Sequence, residues 1–203
     1  MKDNIVQIIK LFVVAVVSAF LLSYVYSVTK EPIEKAKNAE IMEAIKSIVP
    51  GISDQMIIRD TFLISDVESI PLRAYLILNP DSSIHAYSIL SYTKKGYGGT
   101  ITIMVGVDKD FKITGVYPLE FSETPGLGTK MTEKSFKDQF LSKSLSNFNF
   151  KVKNDGGDIQ AITSATITSR AVGDCLERGL KVIEYNFKKE VSDSSKTGEV
   201  INE

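Results

Sequence analysis

Residues 158–174 read DIQAITSATITSRAVGD, and five hydroxyl side chains, Thr163, Ser164, Thr166, Thr168 and Ser169, fall within seven of those positions. An apolar repeat follows at once. Val172, Cys175/Leu176, Gly179/Leu180 and Ile183 recur at helical spacing, which predicts a helix over residues 171–187. The hydroxyls therefore stand where a helix begins, and three chemistries use hydroxyls there. A nucleophile requires a histidine or lysine base, but His85 is the sole histidine and the stretch has no G-x-S-x-G elbow, which argues against a hydrolase. A cap accepts an orphan N–H: Thr168 or Ser169 would cap a helix starting near Arg170, with Thr163 and Thr166 in a preceding strand or loop. That accounts for one or two hydroxyls. The third chemistry is a phosphate group, favoured at a helix start by free amides and the macrodipole, with a hydroxyl beside it or carrying it.

The rest of the composition narrows the choice. The chain has 203 residues with 24 basic and 25 acidic side chains, enough for one domain plus attachments. So balanced a charge argues against nucleic acid as a partner. The single cysteine, Cys175, excludes an internal disulfide and any four-thiolate cluster built by this chain alone. One histidine cannot make a two-histidine metal motif, and there is no C-x-x-C-H haem attachment. A redox centre on this chain is therefore organic or contributed by a partner. Cys175 reads as core on its helix face, and His85, inside a strand pattern, reads as a surface or core filler.

Residues 11–28, LFVVAVVSAFLLSYVYSV, form an uncharged run of 18, extended by residues 5–9 across Lys10. At about 1.5 Å per residue the run crosses a hydrocarbon core of about 30 Å, with Lys10 reaching the headgroups. Tyr24 and Tyr26 fall where an interfacial aromatic belt sits. The other reading is a cleaved leader with Val25-Tyr26-Ser27 as its processing site; the length of the run favours a retained anchor. Lys2 and Lys10 precede it, while Lys30, Lys35 and Lys37 follow among Glu31, Glu34 and Glu40, so the charges alone do not orient it. A short tail before a first helix stays inside, which places residues 30 onward outside the cytoplasm.

Beyond the anchor, residues 31–49 open with Pro32 at a helix-start position and repeat Ile41, Ala44/Ile45 and Ile48/Val49, an amphipathic helix ended by Pro50-Gly51. The pattern then shortens to strands as far as Tyr92, with a hairpin of 74–79 and 84–92 about the turn Pro80-Asp81-Ser82-Ser83. In residues 100–107, Ile101, Ile103, Val105 and Val107 share one face; Asp108-Lys109-Asp110 turns the chain and 112–117 returns it. Residues 131–140 read as a short helix, and 188–203, KKEVSDSSKTGEVINE, as a loose polar tail.

The segment Thr163-Ser164-Ala165-Thr166-Ile167-Thr168-Ser169 resembles the S/T-G-A-T-x-T-S motif of the FMN-binding domain. That domain occurs in the G subunit of the Rnf ion-translocating electron-transport complex and in the C subunit of the sodium-pumping quinone reductase. Two further segments are similar to the family's, in the same order. Gly96-Tyr97-Gly98-Gly99-Thr100-Ile101 with Val105-Gly106-Val107-Asp108 matches its glycine turn and strand, and Glu123-Thr124-Pro125-Gly126-Leu127-Gly128 matches its E-T-P-G-L-G loop without a change. This loop favours the G subunit. Two positions bear on recognition of the motif by a flavin transferase: Ser164 replaces the motif's glycine, adding a Cβ where close backbone approach is wanted, and the acidic or amide position three residues before Thr163 is held by Gln160, with Asp158 two residues upstream.

The resemblance implies an α+β fold: a single N-terminal transmembrane helix, then an extracytoplasmic FMN-binding domain with antiparallel sheet and packed helices. Its parts would be 1–29 tail and anchor, 30–94 helix and first strands, 95–187 FMN-binding core and 188–203 tail. It implies that Thr166 carries FMN as a phosphoester made by a flavin transferase, with Thr163 and Thr168 as other acceptors. Ser164 and Ala165 would line the cofactor, as would Glu123, Thr124, Pro125, Gly126, Leu127 and Gly128. The chain would relay electrons beside other membrane subunits of an Rnf-type complex, coupling ferredoxin and NAD to sodium or proton movement. Iron–sulfur, nicotinamide and ion sites would lie on those subunits, and no metal or catalytic residue is expected here. Two alternatives stand beside this: a non-redox anchored scaffold, and the equivalent subunit of the quinone reductase.

Overall fold

Alternation of Ile101, Ile103, Val105 and Val107 makes a strand with one wholly apolar side, and that strand has a paired neighbour on each edge. A computed structural model describes residues 2–53, 55–65 and 70–194. Strands β1 (Ile57–Leu63), β2 (Leu72–Leu78), β3 (Ile84–Gly96), β4 (Gly99–Asp108) and β5 (Ile113–Glu120) form one antiparallel sheet in the order β1-β2-β3-β4-β5. Each strand pairs with its sequence neighbour, so every connection is a hairpin and no crossover is needed. Register places Ile89 opposite Val105 and closes the β3–β4 hairpin at Gly96 opposite Gly99. The glycine turn thus stands at one end of β3 and β4. β4 is buried from Ile101 to Val107, on both faces, so it lacks the polar alternation of a solvated strand.

The chain contains two compact units, Met1–Met42 and Glu43–Glu203. In the first, the described residues, 2–42, are all helical. Helix α1 runs Lys2–Ile48 without a break, with Pro32 inside it, where the sequence had suggested a second helix starting at that proline. A proline removes a single N–H, and the segment around it is rich in helix formers, with Lys35 and Glu31 paired 2.7 Å apart across it. Its apolar side chains between Ile5 and Val28 are all largely exposed, the pattern of a helix that is apolar all round. It is long and apolar enough to cross a membrane.

In the second unit, Ala44, Ile45, Ile48 and Val49 are buried, which accounts for the apolar repeat at the end of α1. Past β5 the chain makes a 3-10 turn (Gly128–Thr132), helix α2 (Lys134–Lys137) and a second 3-10 turn (Asp138–Phe140), not the single helix expected over 131–140. Met131, Phe136 and Phe140 are all buried, and a five-residue step from the first to the second would put them on different sides of one helix. Broken turns aim all three inward.

Helix α3 (Thr166–Ser194) packs across β3 and β4 with Val172, Leu176, Leu180 and Ile183 buried in the main core. Ser91 Oγ donates to the Cys175 carbonyl at 2.7 Å and Thr93 Oγ1 to Asp174 Oδ2 at 2.7 Å, fixing the helix's position along the sheet. Residues 188–194, expected to be loose, continue the helix; no glycine or proline intervenes, and Lys188 pairs with Glu184 at 2.8 Å. Residues 195–203 of that tail lie outside the described residues. The architecture is α+β, an antiparallel sheet with packed helices, as the sequence suggested.

Candidate functional site

The hydroxyl-rich stretch folds from its middle. The first intrahelical bond of α3 runs from Ser169 N–H to Ala165 O at 3.0 Å, so the amides of Thr166, Ile167 and Thr168 precede any bond within the helix. The helix therefore begins four residues before Arg170, and neither Thr168 nor Ser169 caps it. Both side chains turn inward from the first turn. Ser169 Oγ accepts the Ile162 N–H at 2.9 Å and donates to Ala165 O at 3.0 Å, tying the preceding loop to the helix. Thr168 Oγ1 donates to Glu123 Oε2 at 2.6 Å. A hydroxyl run read from sequence carries no sign of which members face the core; burial of Ala165, Thr168 and Ser169 decides it.

Ala165 N–H bonds to Ile162 O at 3.0 Å, closing a turn in which Ser164 takes φ +63°. The family's glycine at this position is thus explained by backbone dihedral, not by the close approach expected, for Ser164 is exposed. A left-handed L residue costs about 1–2 kcal/mol, and glycine returns about 0.5–1 kcal/mol of that through unfolded-chain entropy. Ser164→Gly is therefore expected to stabilise the chain by a net of about 0.5 kcal/mol, measured by urea unfolding of both proteins. A destabilised glycine variant would contradict this account.

Glu123 joins three segments that are distant in sequence. Its carboxylate is buried, 6% exposed; Oε2 holds Thr168, and Oε1 accepts the Gly98 N–H at 3.1 Å from the β3–β4 hairpin. The glycines around it are required by space. A Cβ on Gly98 would stand 1.8 Å from the Ser122 carbonyl oxygen, and one on Gly128 would stand 2.6 Å from Glu123 Oε2 and 2.9 Å from Thr168 Oγ1. Between them the loop is a closed turn: Leu127 N–H reaches Thr124 O at 3.2 Å and Gly126 N–H reaches Thr129 Oγ1 at 2.9 Å, with Gly126 at φ +74°.

These segments enclose a cleft of about 460 Å³. Of the residues singled out from sequence, it is lined by Glu123, Thr124, Leu127, Gly128, Ser164, Ala165, Thr166 and Thr168. Pro125 and Gly126 are not on its wall; they form the turn that presents Leu127. Thr163 lines a neighbouring cleft of about 330 Å³ with Lys130, Gln139 and Gln160, where Gln139 Oε1 accepts the Gln160 N–H at 2.8 Å. Two lining residues were missed, Tyr97 and Ile167. A lone aromatic among glycines at a hairpin tip, and an apolar residue between two threonines on an exposed helix start, were the available signals.

Other ionisable groups of the domain are taken up in pairs and ties off the cleft wall. Arg170, in the first turn of α3, donates to Asp155 at 2.6 and 2.9 Å, and this hydrogen bonding holds the exposed Asp155 carboxyl below its ordinary range. Burial pushes the Asp174 carboxyl upward, but hydrogen bonds from Lys95 and Thr93 with the Lys95 and Arg178 charges win and hold it low. Burial pushes the Cys175 thiol up to about 12, which leaves it as core without thiolate chemistry. His85 Nε2 lies 3.0 Å from the Pro50 carbonyl oxygen, a structural tie at the end of α1. Among the described residues no cluster of His, Cys, Asp or Glu could hold a metal ion.

Comparison with known proteins bears on this site directly. The model of the FMN-binding domain matches residues 96–181, which contain all three segments around Glu123. The G subunit of the ion-translocating oxidoreductase complex of Shewanella amazonensis is 31% identical over 85% of this chain and 84% of its own length. The corresponding G subunit of Methanosarcina acetivorans is 28% identical over 90% of this chain and 95% of its own length. The solved C subunit of the Na(+)-translocating NADH-quinone reductase from Parabacteroides distasonis is 21% identical with a TM-score of 0.52, covering 71% of this chain and 89% of that one, a likeness of fold alone. The chain belongs to the G-subunit family of the ion-translocating oxidoreductase complexes.

Proposed function

We propose that this chain is the membrane-anchored flavoprotein subunit of an Rnf-type ferredoxin:NAD oxidoreductase, carrying FMN as a phosphoester on Thr166 and relaying electrons to other membrane subunits. One observation carries the reading: Thr166 is a half-buried hydroxyl that both lines the cleft and begins the helix whose first amides are unpaired within it. An esterified phosphate keeps one negative charge, and amides and dipole at a helix start stabilise that charge. The cleft falls in the range usual for cofactor sites, and its apolar members Leu127, Ala165 and Ile167 suit a flat ring.

FMN, when bound there, supplies the electron-transfer chemistry, which asks no acid or base of the protein. The chain's own residues bind and orient. Glu123 fixes the hairpin, the Thr124–Gly128 turn and the helix start in one geometry, while Leu127 and Ile167 offer the ring apolar contact. The apolar α1 anchors the domain to the bilayer, with the flavin domain outside the cytoplasm. A covalent bond is apt on that side: a cofactor held at nanomolar affinity, about −12 kcal/mol, would still be lost where no pool replaces it. A flavin transferase is the partner that makes the ester. Ion path, iron–sulfur centres and nicotinamide site fall to other subunits.

The test is a peptide map of the full chain coexpressed with a flavin transferase. One flavin-phosphate mass increment is expected, within residues 161–170. A fully unmodified chain under those conditions would make it a scaffold without flavin.

A further inference from the structure

We propose that Tyr97 is the side chain that lies against the ring of the bound flavin and closes the hairpin side of the cleft; this rests on the flavin reading above. Tyr97 sits at the tip of the β3–β4 hairpin, flanked by Gly96 and by Gly98 and Gly99, so it is the one side chain that the tip presents. It lines the cleft but is 69% exposed. Ring contacts among the described residues join Tyr87, Phe111 and Phe187, and link Phe136, Phe140, Phe148 and Phe150; Tyr97 takes part in none of them.

The tip is nevertheless held in place. Gly98 N–H donates to Glu123 Oε1 at 3.1 Å, and the same carboxylate holds Thr168 on the helix that starts with Thr166. A positioned aromatic with an unpartnered face, on the wall of an apolar cleft, fits one ligand chemistry well: a flat aromatic heterocycle taken by offset stacking. Leu127 and Ile167, 39% and 48% exposed, are the other apolar side chains left open around it. They have no aromatic face to offer, so the stacking role falls to Tyr97.

Tyrosine in contact with a photoexcited flavin gives it one electron and takes that electron back, so emission is quenched and nothing is consumed. Phenylalanine stacks but does not donate. The assignment is clean because the chain has no tryptophan and Tyr97 is the sole tyrosine on the cleft. The experiment uses full-length chain coexpressed with a flavin transferase, as parent, Tyr97→Phe and Tyr97→Leu. Flavin content is taken from absorbance after denaturation, and emission per bound flavin from the native protein. The parent is expected to be dim and to brighten several-fold on unfolding. Tyr97→Phe is expected to be several-fold brighter than the parent when native, with its visible absorption band unmoved. Tyr97→Leu is expected to be bright with that band shifted. Equal native emission per flavin in parent and Tyr97→Phe would overturn the proposal while leaving the flavin reading intact. A parent without flavin would overturn both.

Discussion

Coexpressed with a flavin transferase and run on a denaturing gel, the Thr166→Ala chain is expected to give a band without flavin fluorescence, while the parent band fluoresces. The expected effect is complete loss, because each competing hydroxyl is compromised. Thr168 is 1% exposed and its proton is committed to Glu123. Esterifying it would leave that buried carboxylate short of a donor. Ser169 is fully buried and bridges Ile162 and Ala165. Thr163 is exposed but lines the neighbouring cleft. Ser164 lines the right cleft but lies before the helix, on the left-handed turn. Intact mass checks the result independently, by disappearance of one flavin-phosphate increment. Alanine at a helix start that makes no side-chain hydrogen bond to the core should change stability by less than about 0.5 kcal/mol, so loss of flavin would not reflect loss of fold. A fluorescent Thr166→Ala band would move the ester to Thr163 or Thr168.

Much of this is legible in the sequence. Period-two alternation placed Ile101, Ile103, Val105 and Val107 on one face, and the turn at 80–83 placed a hairpin, because side-chain direction in a strand follows from sequence parity alone. The helix starts were less legible. Pro32 and the hydroxyls at 168–169 are both valid start signals, yet one lies inside α1 and the others inside α3. A start signal is a local preference worth about 1 kcal/mol, and continuing an apolar helix or burying Ala165 outweighs it. The role of Glu123 was hidden for another reason. The sequence showed that Glu123, Gly98 and Thr168 belong to three motifs; that one carboxylate serves two of them at once is a fact of tertiary geometry, set by hairpin register and helix placement together. The same holds for Tyr97, whose value depends on what the hairpin tip faces.

Glu123→Ala is expected to destabilise the second unit more than any other change at the cleft. The carboxylate receives two hydrogen bonds, from Gly98 N–H and the Thr168 hydroxyl, and bonds to a charged group are worth about 1.5–3 kcal/mol each. Removing the acceptor also leaves the Thr168 hydroxyl, 1% exposed, without its partner. The combined cost should be about 3–5 kcal/mol, which at about 3 °C per kcal/mol for a domain of this size lowers the thermal midpoint by roughly 10 °C. Glu123→Gln separates charge from geometry. Its carbonyl oxygen still accepts from Gly98, and its NH2 can donate to Thr168, whose hydroxyl then turns acceptor, so the cost should fall to about 1 kcal/mol. Thr168→Val supplies the remaining corner of a cycle: combined with Glu123→Ala it should cost about 1–2 kcal/mol less than the sum of the two singles. Thermal unfolding of the full chain in detergent reads all four. If Glu123→Ala melts with the parent, the carboxylate does not clamp the three segments. The hairpin, the turn and the helix start would then be held by the hydrophobic core to which Ile101, Met131 and Val172 belong.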